Sequence, residues 1–234
     1  MISLLFSRKN HRAAHFLSAL ASLPLLLAAC AAPALDVDEN ILLSTGDCAI
    51  GQTVFPQGNW QFVHEIVFRS ESGAAGRFIG VVSRQNGELR CALTTLEGLT
   101  IFAARAWPGQ AARVERALPP LDKPSFAAGL LADLRLLFNQ PDGAPRCGWR
   151  AGERVYRWRD HNVITDVSVG QDNCWTIRAY LNGRQTREAR AEDCATADRI
   201  SPGRISLQAT TDAAAYQLDM RLISAKGIYI SFRY

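Results

Sequence analysis

From Trp60 onward the chain is dominated by a two-residue alternation of apolar and polar positions. Trp60, Phe62, Ile66 and Phe68 alternate with Gln61, Glu65 and Arg69, which is the pattern of a half-buried strand. Phe78 to Gln85 repeats it. Asn86-Gly87 then supplies two residues tolerant of positive φ, and Leu89, Cys91 and Leu93 lie on a returning strand. Glu97-Gly98 and Pro108-Gly109 mark two more reversals, around Leu99–Ala106 and before Ala111–Leu118. Pro119-Pro120 ends this meander. The period then changes. Phe126, Leu130, Leu131, Leu134, Leu137 and Phe138 form one stripe at helical spacing, with Asp133 and Arg135 read as outside it and Ser125 as the N-cap. Alternation resumes over residues 154–159, 163–169 and 175–181. An Asn182-Gly183 turn follows, then 184–191, a polar loop at 192–204, 205–210, 216–222 and a terminal strand at 228–232. The pattern predicts a mainly β protein with one helical insertion. Its architecture would be a curved antiparallel sheet or half-barrel of about nine to eleven strands, its concave face covered by a helical lid at 126–138.

The first thirty residues read as an address. Arg8, Lys9, His11 and Arg12 precede an apolar run from about Phe16 to Leu27, and small residues lead to a cysteine. The run is about a dozen residues, short of the roughly 20 that a spanning helix needs. Leu27-Ala28-Ala29-Cys30 resembles the bacterial lipobox, in which the cysteine thiol is acylated and the leader is cut just before it. That implies residues 1–29 as a lipoprotein signal peptide, Cys30 as the lipid attachment point, residues 30–45 as a tether and residues 46–234 as one domain. Ala31 after the cysteine, where Asp resembles an inner-membrane retention signal, implies the periplasmic face of the outer membrane. A mature lipoprotein carries three palmitate-class chains. One chain anchors only marginally, so three hold effectively for good.

Of 234 residues, 48% are hydrophobic and 21% charged, enough for a real core and unlike a disordered chain. The formal charge is +4. Arg8, Lys9 and Arg12 account for three of the 26 basic residues, and the remaining 23 face 22 acidic ones. A mature surface so balanced has no bias toward nucleic acid. Cysteines stand at 30, 48, 91, 147, 174 and 194. With Cys30 acylated, five remain in a compartment that permits disulfides. Cys174 and Cys194 flank the Asn182-Gly183 turn and are the first candidate pair; Cys48 with Cys91 is the second. No C-x-x-C occurs, and no metal site or cofactor is expected.

Catalytic chemistry finds little support in the sequence. His64 and His161 are the two histidines beyond the leader. His64 shares a strand face with Phe62 and Ile66 and reads as a half-buried residue with its hydrogen bonds satisfied. His161 sits between Asp160 and Asn162, near Asp166, where a small periplasmic hydrolase would need it beside a carboxylate in a cleft. The arginines of 154–159 and 184–190 read as a solvated sheet face.

Several segments together resemble a known family. After the lipobox come Leu96-Glu97-Gly98-Leu99-Thr100-Ile101-Phe102, then Leu118-Pro119-Pro120 and the run Leu130–Phe138. These resemble proteobacterial outer-membrane lipoproteins encoded with aryl-polyene and fatty-acid-synthase-like gene clusters. More remotely, the chain is similar to the carrier and receptor of the lipoprotein-localisation (Lol) pathway, over roughly residues 50–225. The resemblance implies an incomplete β-barrel closed by helices, with an apolar cavity for acyl chains and a periplasmic carrier as a possible partner. The Lol receptor's exposed leucine has no counterpart in the short, polar Gln85–Glu88 hairpin. That argues against a receptor that inserts lipoproteins and leaves a carrier or receptor for a different lipid. Phe62, Phe68, Phe78, Trp158 and Trp175 would line the cavity, with Leu130, Leu134 and Phe138 on the lid. No catalytic group is required. The alternative is an envelope-assembly lipoprotein that binds a protein partner, with a filled core and an exposed apolar patch.

Overall fold

The alternating segments form strands because the turns between them have the residues that tight reversals demand. At the Asn86-Gly87 hairpin both residues take positive φ (52° and 82°), and at Asn182-Gly183 they do so again (52° and 78°). That backbone matches the right-handed twist of the flanking strands. The computed structural model describes residues 43–44, 48–51, 54–194, 200–211 and 214–228, all within a compact unit spanning Ala34–Tyr234. The signal segment, Cys30, most of the tether and residues 229–232 of the expected terminal strand lie outside the described residues.

Thirteen strands are present among the described residues. In chain order they are β1 (Leu43–Ser44), β2 (Trp60–Ser70), β3 (Ala75–Gln85), β4 (Glu88–Thr94), β5 (Thr100–Ala106), β6 (Arg113–Ala117), β7 (Arg146–Arg150), β8 (Glu153–Asp160), β9 (Val163–Val169), β10 (Trp175–Leu181), β11 (Arg184–Glu192), β12 (Arg204–Thr211) and β13 (Ala214–Gly227). They make one sheet in the order β1-β7-β8-β9-β10-β11-β12-β13-β2-β3-β4-β5-β6, every pair antiparallel. It is a curved, open, half-barrel-like sheet with β1 and β6 at its edges. The count exceeds the expected nine to eleven because β1 and β7 carry no alternation that the sequence shows. They are defined by each other, Leu43 opposite Gly148 and Ser44 opposite Cys147.

Helix α1 (Pro124–Phe138) runs in the chain between β6 and β7, and so connects the two sides of the sheet across its concave face. Pro124 suits the first turn, and no β-branched residue interrupts the segment. The helix begins earlier than expected. Its N-cap is Lys123, without a side-chain cap, rather than Ser125. There is no acidic residue in the first turn, and Gly129 sits in the interior at a cost of roughly 1 kcal/mol relative to Ala. At fifteen residues and without a side-chain N-cap, the helix still depends on packing. Leu131, Leu134, Leu137 and Phe138 are buried against the sheet. The helix backbone comes close to that of β10.

Two disulfides brace the domain. Cys174–Cys194 closes the end of β10 and β11, as the turn between them suggested. Cys48 does not pair with Cys91. It is bonded to Cys147 on β7, 99 residues away. Cys91 is free and buried on β4, where desolvation pushes its thiol up to about 11. The pairing follows from topology: β4 lies deep in one half of the sheet, whereas the segment before β2 runs beside the β7 edge.

Candidate functional site

The concave face and α1 enclose the candidate site. At its centre Trp60 and Phe62 stack at 4.5 Å, and Phe138 closes over them from the helix at 5.5 and 5.6 Å. Phe126 at the other end of α1 meets Phe102 edge-on at 5.2 Å. Between these contacts lies a cavity of about 40 Å³, walled by Ile66, Gly80, Leu93, Leu130, Leu134 and Leu218 among others. A Cβ on Gly80 would stand 2.4 Å from Ile66 Cδ1, so the bare glycine lets Ile66 lean across it. Such a volume holds a few waters, whereas ligand pockets run to about 300–1,000 Å³. The interior under the helix is nearly filled.

The residues expected to line a cavity divide into three groups. Leu130, Leu134 and Phe138 face the enclosed space. Phe62 lies beneath Phe138. Phe68 and Phe78 stand half-buried at one end of the concave face, Phe68 beside Tyr216 at 6.0 Å. Trp158 and Trp175 are fully buried in the other half of the sheet. Trp158 is covered by Phe55, and its Nε1 donates to the Gly143 carbonyl at 3.2 Å.

Two polar side chains inside this apolar layer were misread from the sequence. Asp133 points inward, only 2% exposed. Arg187 Nε on β11 donates to one of its oxygens at 2.6 Å, and the Tyr216 hydroxyl on β13 donates to the other. Burial pushes the carboxyl upward, while the bonds from Tyr216 and Arg187 pull against that shift. The Tyr216 hydroxyl is itself pushed up, by burial and then by the Asp133 charge beside it. This cluster pins the middle of α1 to two strands. The spacing did contain the signal, because Asp133 is three residues after Leu130 and four before Leu137, on the buried stripe. The second side chain is His64, 3% exposed and beside the rings of Phe62 and Phe138. Its Nε2 has no hydrogen-bond partner, and desolvation lowers its pKa to about 4, so it is neutral.

On the outer face, Arg157 is not solvated as expected. It is buried and donates through two nitrogens to both oxygens of Asp166, each at 2.6 Å. His161 occupies the β8–β9 turn, bonded to Asp160 at 2.7 Å and 91% exposed, rather than lying in a cleft. Among the described residues no group of His, Cys, Asp and Glu is arranged to hold a metal, and no helix is long and apolar enough to cross a membrane.

An open antiparallel sheet with one helix across its hollow is a LolA-like fold. The crystal structure of a LolA superfamily protein from Nitrosomonas europaea matches with a TM-score of 0.50 at 15% identity, over 76% of this chain and 90% of that one. A putative outer membrane lipoprotein-sorting protein domain from Vibrio parahaemolyticus matches with a TM-score of 0.45 at 9% identity, over 75% and 88%. Neither a protein-family model nor a curated protein sequence matches the chain.

Proposed function

We propose that this chain is a lipoprotein of the outer membrane, anchored through Cys30 and facing the periplasm, that takes an acyl chain between its sheet and α1 when the helix lifts. It binds or passes on lipid and catalyses nothing. One observation carries the reading: a weakly capped helix, tied into the chain at both ends, lies over an apolar concave face and is pinned there by one polar cluster. The two burial terms are of the same order, before the association cost. Uncovering Leu131, Leu134, Leu137 and Phe138 costs about 1.5–3 kcal/mol each, or roughly 6–12 in all. A sixteen-carbon chain contributes on the order of 10 kcal/mol when buried. The lipid then replaces the helix as cover for the sheet, which explains how a closed interior serves a binding protein.

Native mass spectrometry of the protein purified gently from its host tests the reading. A reproducible extra mass that extracts into organic solvent is the expected result. Leu130→Asp or Leu134→Asp should weaken retention of that mass. A bare polypeptide that also refuses added acyl probes would overturn the proposal. That outcome would favour a structural lipoprotein that binds a protein, to which the filled interior and the exposed Leu96 and Leu99 of the β4–β5 turn, 56% and 52% accessible, lend weight.

A further inference from the structure

We propose that His64 is the polar subsite of this interior and that it selects ligands bearing an uncharged carbonyl, an ester or amide of an acyl chain, over free carboxylates. This rests on the acyl-binding reading above.

The argument begins with an unmet hydrogen bond. His64 lies on β2, directly opposite Gly80 of β3, and lines the enclosed cavity. Leaving a buried nitrogen without a partner costs about 1–3 kcal/mol. The walls nearest it on the strands offer nothing to pair with: Ile66, Gly80, Val82 and Leu93 carry no side-chain polar atom, and Cys91 has at most a weak thiol. A ligand group entering here would satisfy Nε2, and a neutral imidazole with its proton on Nε2 donates to a carbonyl oxygen.

The charge of that group is also constrained. The other polar wall of the cavity is Asp133, whose two oxygens are occupied by Arg187 and Tyr216. A carboxylate would enter an apolar layer in which Arg187 is already paired with Asp133, beside a neutral histidine that supplies no counter-charge. Unpaired burial of that kind is strongly unfavourable. An ester or amide carries the acceptor without the charge.

The test uses the full chain with Cys30→Ser, so that no acyl group is attached, and displacement of 1-N-phenylnaphthylamine at pH 7.5. The competitors are methyl dodecanoate, dodecanoate and tetradecane. The expected result is that methyl dodecanoate competes about ten-fold better than either of the others. His64→Leu should abolish that advantage and leave tetradecane unchanged, and His64→Gln, which keeps an amide N–H near Nε2, should restore part of it. Any probe binding by residues 1–29 is common to all three chains. If dodecanoate competes best, if all three compete alike, or if His64→Leu keeps the ester preference, His64 is not the subsite and acyl binding stands without it. If no competitor acts, the acyl-binding reading itself falls. Should the leucine variant not fold, histidine-¹⁵N NMR of the unsubstituted imidazole decides. An Nε2 resonance unmoved by saturating methyl dodecanoate would overturn the assignment.

Discussion

His64 makes folding sensitive to acid. Its folded-state pKa of about 4 lies below the ordinary 6.5, so the unfolded chain binds its proton first as pH falls. The stability this histidine confers is complete above about pH 6.5 and disappears as pH drops through 4, a change of about 3 kcal/mol. Asp133, with its carboxyl shifted upward, acts with the opposite sign. That effect is common to wild type and His64→Leu. The leucine chain should therefore lose less stability between pH 6.5 and 4 in urea titrations, and parallel curves would show that His64 is not buried as described. Leu131, 1% exposed on the buried face of α1, gives a pH-independent comparison. Leu131→Ala should cost about 2–5 kcal/mol in the same assay.

At the scale of elements, α1 is built of good helix formers but has no side-chain N-cap, and the Asp133 cluster ties it to the sheet. Asp133→Asn leaves Arg187 half-paired at a cost of about 2–3 kcal/mol. Hydrogen exchange along α1 should then quicken by some thirty- to hundred-fold, with β8 to β10 unaffected; uniform acceleration would mean that the helix does not open separately. Most elements were legible in the sequence. The alternating apolar residues from Trp60 to Phe68, the two Asn-Gly turns and the leucine stripe each follow from local chemistry. Asp133 was missed because a charged residue was assigned to the solvent side by type, although its spacing placed it inside. What neutralises it, Arg187 and Tyr216, stands 54 and 83 residues away. His64 failed for a related reason. That its strand face was apolar could be read, but that no donor or acceptor would come to meet it could not.

For the whole molecule, the fold was legible as a class and not as a path. Nothing local to β13 indicates that it pairs with β2 in mid-sheet, or that β7 begins beside the N-terminal segment. That adjacency also explains why Cys48 bonds Cys147 and not Cys91, a pairing that sequence spacing does not encode. The two bridges should differ in weight. Loop entropy gives about 4.7 kcal/mol for the 99-residue closure and about 3 for the 20-residue one. Cys48→Ala with Cys147→Ala should lower the melting temperature further than Cys174→Ala with Cys194→Ala. The reverse order would mean that the long loop is already restrained when unfolded.

The position of that long bridge bears on how the domain carries force. For a chain anchored at Cys30, any tug from the membrane travels along the tether to β1, which two residues of pairing hold to β7, and four residues later it arrives at Cys48. There the load passes through a covalent bond straight onto β7. Everything from β2 to α1 lies inside the closed loop and is mechanically shielded, so the helix can move while its anchor is under tension. Pulled from its N-terminus, the oxidised protein should release its length without the loop that spans the 99-residue separation of Cys48 and Cys147. Opening the Cys48–Cys147 bridge alone should add roughly 33–36 nm to the extension at full stretch.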